Sequence, residues 1–254
     1  MSFHVVIPAR MASTRLPGKV LRELAGATLL EHVYRRACES DALDVTIATD
    51  NAEVEAVARG FGAAVCMTAT THESGTDRIH EVVTKLGWGE QEIVVNLQGD
   101  EPGMPPALVQ QVASNLAQNS WADIATLCFA IDSWQDWQDP GLVKVVSDEQ
   151  GQALYFSRAP IPFDRQANMQ AKQRLPSAGA RGHIGLYAYR VSALQRFSEL
   201  PIAALEVSEA LEQLRGMAYG LRIHVAEAQQ RPGVGVDTEA DLQRAEAELL
   251  AQRS

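Results

Sequence analysis

Through the first half of the chain, short uninterrupted apolar runs alternate with longer stretches in which apolar residues recur every three or four positions. The runs at 3–8, 45–49, 63–67 and 93–97 each give way to turn residues, which marks them as short buried strands. Helical periodicity fills the intervals at about 28–40, 52–60, 76–87 and 106–118. Such alternation predicts right-handed strand–helix–strand units and a three-layer α/β architecture with a mostly parallel sheet. Sheets of this kind bind ligands beyond the carboxyl ends of their strands. Arg10, Asp50 and Asp100 each follow a predicted strand directly and so fall on that face.

The pattern changes after residue 130. Runs at 142–146, 153–156 and 184–189 read as strands of mixed or antiparallel type, separated by a polar loop over about 162–182. A loop of that length belongs to a site, an interface or disorder. Helical periodicity returns near 191–199 and 203–215, followed by a strand at 221–226 and a last helix from 239. With no internal repeat and no low-complexity tract, residues 1–254 read as one continuous domain carrying a smaller subdomain.

Composition narrows the partners. The 254 residues are 46% hydrophobic and 21% charged, ordinary for a globular chain, and the net charge is −10. That charge excludes non-specific binding to nucleic acid or to an anionic membrane, so an anionic ligand has to meet a local basic site. Cys38, Cys66 and Cys128 are odd in number, far apart and set in apolar stretches, which predicts reduced, buried thiols and no zinc site. The apolar run at the N-terminus is too short for a signal peptide, and a cytoplasmic location is expected.

Against this acidic background, three cations stand within ten residues after the first strand. Arg10, Arg15 and Lys19 lie in Ala9-Arg10-Met11-Ala12-Ser13-Thr14-Arg15-Leu16-Pro17-Gly18-Lys19. Turn N–H groups, two guanidinium forks and an ammonium suit a polyphosphate; a solvated basic loop is the other reading. The loop is neither a Walker A sequence nor a dinucleotide fingerprint.

A second stretch, Asn96-Leu97-Gln98-Gly99-Asp100-Glu101-Pro102, brings a strand into a glycine turn with two carboxylates. The next helix starts near Pro105 or Pro106, too far on for Asp100 to cap it. A carboxylate beside a triphosphate loop suits Mg²⁺, which takes few protein ligands and keeps phosphate oxygens and water. In Gly235-Val236-Asp237-Thr238-Glu239-Ala240-Asp241, Thr238 and Asp241 have capping-box spacing. That leaves Asp237 to face the site, unless it merely caps the last helix.

Weaker signals follow. Ser74-Gly75-Thr76-Asp77-Arg78 is a good helix start that can also take a base edge or phosphate. Arg158 stands at a strand end, where it can fork a carboxylate or form a surface ion pair. His183, Glu212 and Gln213 are each more ordinary as structural or solvated residues.

The ordered set resembles the 3-deoxy-manno-octulosonate (Kdo) cytidylyltransferase family, the CMP-Kdo synthetases of lipopolysaccharide assembly. Carrying it are the 7–19 loop, Ala48-Thr49-Asp50, the 74–78 and 96–102 stretches and Ala153-Leu154-Tyr155-Phe156-Ser157-Arg158-Ala159-Pro160-Ile161-Pro162. His183-Ile184-Gly185-Leu186-Tyr187, Leu211-Glu212-Gln213-Leu214-Arg215 and Gly235-Val236-Asp237-Thr238 complete it. The resemblance implies a nucleotide-diphospho-sugar-transferase (glycosyltransferase-A-like) fold and a homodimer using CTP and Mg²⁺. On it, residues 1–130 form a nucleotide-binding part, about 131–225 an acceptor and dimerisation part, and 226–254 the metal-ligand loop and C-terminal helix.

The same resemblance implies that Pro8, Ala9, Arg10, Arg15, Lys19, Ser74, Gly75 and Asp100 hold the nucleotide, and that Asp100 and Asp237 hold the metal. Lys19, Arg10, Arg15, Asp100 and Asp237 form the catalytic set, while Gln98, Arg158, His183, Tyr187, Glu212 and Gln213 surround a 3-deoxy-ulosonic acid. The implied reaction moves CMP from CTP to the anomeric 2-hydroxyl of Kdo. An 8-amino Kdo analogue or another sugar acid is the alternative acceptor. This chain departs from the family at Met11, Val20 and Gly182, where an aromatic residue, Pro and Arg are common, and over 165–182.

Overall fold

The computed structural model describes residues 2–12, 15–72, 74–165 and 173–251. Strands β1 (His4–Pro8), β4 (Asp44–Thr49), β5 (Ala64–Met67) and β6 (Ile93–Asn96) follow the expected apolar runs, while β2 (Glu23–Leu24) and β3 (Ala27–Thr28) make a small separate hairpin. In the second half come β7 (Ile124–Ala130), β8 (Lys144–Ser147), β9 (Ala153–Ser157), β10 (Arg181–Arg190) and β11 (Ile223–Glu227). The main sheet runs in the order β11-β7-β10-β6-β1-β4-β5, with β8 and β9 branching from β10. Along that path β10 alone runs against its neighbours; every other pairing is parallel. The mostly parallel, mixed α/β sheet is the architecture the alternation predicted.

Three of the helices that connect the parallel strands begin at a polar cap that takes up N–H groups otherwise left without partners. Thr28 caps α1 (Leu29–Cys38), Asn51 caps α2 (Ala52–Gly60) and Ser74 caps α3 (Gly75–Leu86). Helix α4 (Pro106–Gln118) opens on proline, whose missing N–H costs nothing there. Alternation along β1 then fixes the layers: Val5 and Ile7 pack under α1 and α4, while Val6 packs on the opposite face against Ile79 of α3. Both faces are dry, so the site is confined to the strand ends and to the neighbourhood of β10.

Three expectations needed revision. Strand β7 had no place in the sequence reading, although it lies at the centre of the second half. The helix expected over 203–215 is two, α7 (Ala204–Glu209) and α8 (Gln213–Ala218), broken at Ala210, whose φ of 50° is incompatible with a continuing helix. Cys38 is exposed, because the helical stripe that buries Val33 and Ala37 turns the last residue of α1 outward. Cys66 is half-buried on the edge strand β5, and only Cys128 is buried; all three thiols are free. Helices α5 (Trp134–Gln138), α6 (Val191–Glu199) and α9 (Glu239–Ala251) complete the chain. Of the long polar loop, residues 166–172 lie outside the described residues.

Candidate active site

Beyond the carboxyl end of β1 the chain forms the cation-bearing loop, of which Ser13 and Thr14 lie outside the described residues. Gly18 closes the loop in a left-handed conformation (φ 66°), its N–H donating to the Met11 carbonyl at 3.2 Å. This turn drives Lys19 inward. Its Nζ donates to Asp100 Oδ2 at 2.5 Å, to Asp237 Oδ1 at 3.0 Å and to the Val236 carbonyl at 3.1 Å. Arg15 reaches the other oxygen of Asp237 at 2.8 Å. Arg10, Arg15, Lys19, Gln98, Asp100 and Asp237 line one cavity of about 490 Å³.

Asp100 and Asp237 are distant in sequence and are joined by backbone. The Val236 N–H donates to the Asp100 carbonyl at 2.9 Å, and the Gly233 N–H to the Gly103 carbonyl at 3.1 Å. A Cβ on Gly103 would lie 2.9 Å from the Cα of Gly233, so the two loops dock only because both residues lack one. The capping box forms as expected, with the Asp241 N–H donating to Thr238 Oγ1 and the Thr238 N–H to Asp241 Oδ2. Asp237 is thereby left to the site.

The site's charge is balanced around Lys19. Burial disfavours its ammonium, but Asp100 and then Asp237 overcome this and raise its pKa. The Glu101 carboxylate lies against Gly235, next to the pair in the chain; burial first, then the charges of Asp100 and Asp237, push its carboxyl up to about 8. It is therefore mainly neutral at pH 7 and adds no third charge. Among the described residues there is no group of three or more His, Cys, Asp or Glu side chains poised for a metal. Two converging carboxylates held around a cation fit a hard divalent ion that draws its remaining ligands from water and phosphate oxygens.

A small junction of about 90 Å³, lined by Pro8, Ala9, Arg10, Ser74, Gly75 and Gln98 among others, shares Pro8, Arg10 and Gln98 with this cavity and His72 and Ser74 with a second of about 790 Å³. Ser74 does what a helix start requires, accepting the Asp77 N–H at 3.1 Å. The second cavity carries Glu212 on its wall. Glu212 Oε2 accepts from the Thr76 hydroxyl at 2.8 Å, its Oε1 is buried without a partner, and burial raises its pKa. Gln213 is buried beside it at the start of α8.

His183 and Tyr187 stand together on β10, ring centroids 5.3 Å apart, with Phe156 edge-on to His183 at 5.0 Å. A bulge between Ile184 and Tyr187 brings Tyr187 opposite Thr126, whose hydroxyl lies 3.0 Å from His183 Nε2. Burial lowers the His183 pKa to about 3, so the ring is neutral, and raises that of Tyr187.

Arg158 stands apart from a carboxylate fork. Its guanidinium donates to the carbonyls of Pro140 and Glu209 at 3.0 and 2.8 Å, where it holds the end of β9 against α7. Asp50, on the strand-end face as expected, pairs with the buried Arg78 at 2.8 Å. At Gly182 a Cβ would lie 2.6 Å from the Phe129 ring, which fills the space over this position while Arg231 stacks on the ring at 5.3 Å.

Sequence reading missed two elements of this region. His72 borders both the junction and the second cavity; a lone histidine two residues before the Ser74 cap was its only signal. Lys144, fully buried, donates to the carbonyls of Asp139, Leu142 and Arg158 at 2.8, 2.6 and 2.7 Å. Nothing in a β-strand pattern announces such a lysine.

Residues 4–223 match the model of the cytidylyltransferase family. The chain is 55% identical over 252 residues to the 3-deoxy-manno-octulosonate cytidylyltransferase of Cellvibrio japonicus, covering 98% of each chain. It is 51% identical to that of Thioalkalivibrio sulfidiphilus, covering 99% of this chain and all of the relative. Among solved structures, a CMP:2-keto-3-deoxy-manno-octonic acid synthetase complexed with CTP superposes with a TM-score of 0.89 at 42% identity, covering 100% of this chain and 99% of that one. A Leptospira borgpetersenii cytidylyltransferase, at TM-score 0.59 and 14% identity over 99% of this chain and 92% of that one, shares the fold.

Proposed function

The chain belongs to the cytidylyltransferase family, and we infer from this that it transfers CMP from CTP to the anomeric 2-hydroxyl of Kdo, yielding CMP-Kdo and pyrophosphate. The oxygen–phosphorus bond forms at the α-phosphorus as the bond to the β-phosphate bridge breaks and the hydroxyl proton is lost to solvent. Both substrates are anionic, so the enzyme's first task is to offset repulsion. Arg10, Arg15 and Lys19 would share the triphosphate's charge, with the Lys19 ammonium leaving the carboxylates for phosphate oxygens. Asp100 and Asp237, freed of that ammonium, would hold a divalent cation, which we take to be Mg²⁺. When bound, the cation would neutralise charge on the phosphoryl and leaving-group oxygens.

The remaining acceleration comes from positioning, since no Ser/His/Asp or Cys/His arrangement is needed for a direct displacement. Pro8, Ala9, Ser74 and Gly75 line the small junction that suits the base. On the acceptor side we place Gln98, His183, Tyr187, Glu212 and Gln213, with Arg158 shaping that wall through the carbonyls it holds. The protein divides accordingly: 1–130 serves the nucleotide, about 131–225 the acceptor, and 226–254 the second metal-ligand loop.

A homodimer belongs to the same proposal. Leu154, on the outer strand of the β8–β9 pair, and Ile202, Leu205 and Val207, on the segment touching β9, are all exposed and suit a second copy. Light scattering at micromolar concentration tests it, a monomeric mass refuting it. No helix of the described residues is long and apolar enough to cross a membrane; a cytoplasmic location is part of the reading.

The convergence of Lys19, Arg15, Asp100 and Asp237 on one cavity carries this account. Its test is pyrophosphate release from CTP with Kdo, the 8-amino analogue and sialic acid as acceptors. Release with Kdo supports it; none with any 3-deoxy-ulosonate, from folded protein with divalent cation, refutes it.

A further inference from the structure

The break between α7 and α8 is built by groups that the proposed transfer leaves unused. Ala210 lies at φ 50°, ψ 50°, a left-handed conformation that an alanine Cβ disfavours and that persists only where the surroundings impose it. Glu209, the last residue of α7, supplies the restraint. Its Oε1 accepts the Ser157 hydroxyl at 2.6 Å and the Tyr155 hydroxyl at 3.3 Å, and its Oε2 accepts the Arg158 N–H at 2.9 Å. All three donors stand at the end of β9. Burial opposes ionisation of Glu209, but Ser157, the Arg158 N–H and Tyr155 outweigh it and hold its pKa below the ordinary carboxylate value.

The far side of the break is tied as well. Arg215 of α8 forks Glu206 of α7, Nε donating to Oε2 at 2.8 Å and Nη2 to Oε1 at 2.5 Å. Both side chains are only 12% exposed, so water competes little for the pair. The Leu211 N–H returns to the Glu206 carbonyl at 3.2 Å. With α7 held to β9 and α8 held to α7, one left-handed residue sets the direction of the segment between them. Glu212 follows two residues later, with one oxygen on the Thr76 hydroxyl, and lines the 790 Å³ cavity. A right-handed Ala210 would continue the helix and carry Glu212 off this wall.

We propose that Glu209 is a positioning residue for the acceptor: by gripping β9 it holds Ala210 left-handed and sets Glu212 on the cavity wall. The proposal rests on the acceptor reading of that wall. Glu209 itself touches no substrate; its effect passes through Glu212.

The test measures the KM for Kdo and for CTP by pyrophosphate release. Glu209→Ala releases the grip and should raise the KM for Kdo about tenfold or more, the worth of one hydrogen bond to a charged group. The KM for CTP should stay within about twofold of wild type. Glu209→Gln should stay within about threefold for both substrates, its carbonyl accepting the Arg158 N–H and its amide donating to the Ser157 or Tyr155 hydroxyl oxygen. A double-mutant cycle separates positioning from plain support of the fold: Glu209→Ala combined with Glu212→Ala should be no worse for Kdo than Glu212→Ala alone. Equal rises in both KM values, an unchanged KM for Kdo, a Gln variant as impaired as the Ala one, or effects that simply add overturn the proposal. Should Glu209→Ala be unfolded by circular dichroism, Glu209→Asp takes its place under the same criteria, since it keeps the charge but is one methylene too short to reach β9. Wild type that releases no pyrophosphate with Kdo overturns the functional reading instead, so the two failures are distinguishable.

Discussion

Replacing Asp237 by Asn should separate catalysis from stability more cleanly than any other change at the site. The side chain is 48% exposed and pairs with Arg15, itself 64% exposed, and with Lys19. Ion pairs of such exposure contribute about 0–1 kcal/mol each, and the amide can still accept from either cation. Unfolding should therefore lose about 1 kcal/mol, a shift in Tm of about 2–4 °C for a chain of this size. The backbone bond from the Val236 N–H to the Asp100 carbonyl is untouched, so the two loops stay docked. Turnover is another matter. If Asp237 is one of two anionic ligands to the cation, as proposed, about 3–5 kcal/mol of transition-state stabilisation goes with it, a fall of about 10²- to 10⁴-fold in kcat. CTP should still bind through Arg10, Arg15 and Lys19. Thermal melts, calorimetric titration of CTP and steady-state pyrophosphate release read the three quantities separately. Turnover within about threefold of wild type would return Asp237 to the status of a helix-start residue, and a collapse in Tm would show that its role is structural.

Further changes probe other parts of the account. Lys19→Ala should weaken CTP use and slow turnover, whereas His183→Ala should mainly raise the KM for Kdo; the reverse pattern in separate titrations rejects the division of the site. Gly233→Val forces the docked loops apart and should lower kcat by about 10²-fold with circular dichroism unchanged. For pH, His183 has its folded pKa lowered to about 3 from an ordinary 6.5 by burial, so the unfolded chain binds the extra proton between those values. Its contribution to stability is complete above pH 6.5 and is lost as pH falls toward 3, at up to about 1.4 kcal/mol per unit. His183→Gln should flatten that part of the melting-temperature profile, and an unchanged slope rejects the assignment. Lys144→Met leaves three carbonyls without their shared donor and should cost about 3 kcal/mol in urea unfolding; no loss would mean water replaces the ammonium.

The parts legible in the sequence are those fixed by local physics. Alternating apolar runs set the parallel half of the sheet, because strands buried on both faces leave little choice of composition. Ser74, Thr238 and Asp241 announced their helix starts, and the capping box correctly left Asp237 unassigned to the helix. What escaped notice depends on contacts between distant segments. Strand β7 reads as one more apolar stretch until β10 and β11 bracket it. The docking of Gly103 on Gly233 needs two loops that no spacing rule connects. Arg158, set at a strand end as expected, turned to carbonyls of 140 and 209 that only the tertiary fold supplies. His72 is equally invisible until the fold brings it to the wall of the second cavity.

The central claim is that the carboxylates around Lys19 serve the transfer of CMP to Kdo, and product identity tests it most directly. A phosphorus NMR spectrum of protein, divalent cation, CTP and Kdo should show the three CTP signals replaced by one phosphodiester signal and pyrophosphate in equal amounts. The Asp100→Asn and Asp237→Asn proteins, folded and at the same concentration, should leave the CTP signals in place over the same interval. A phosphodiester formed equally fast by both variants, or CTP consumed without any phosphodiester to Kdo, would contradict the account.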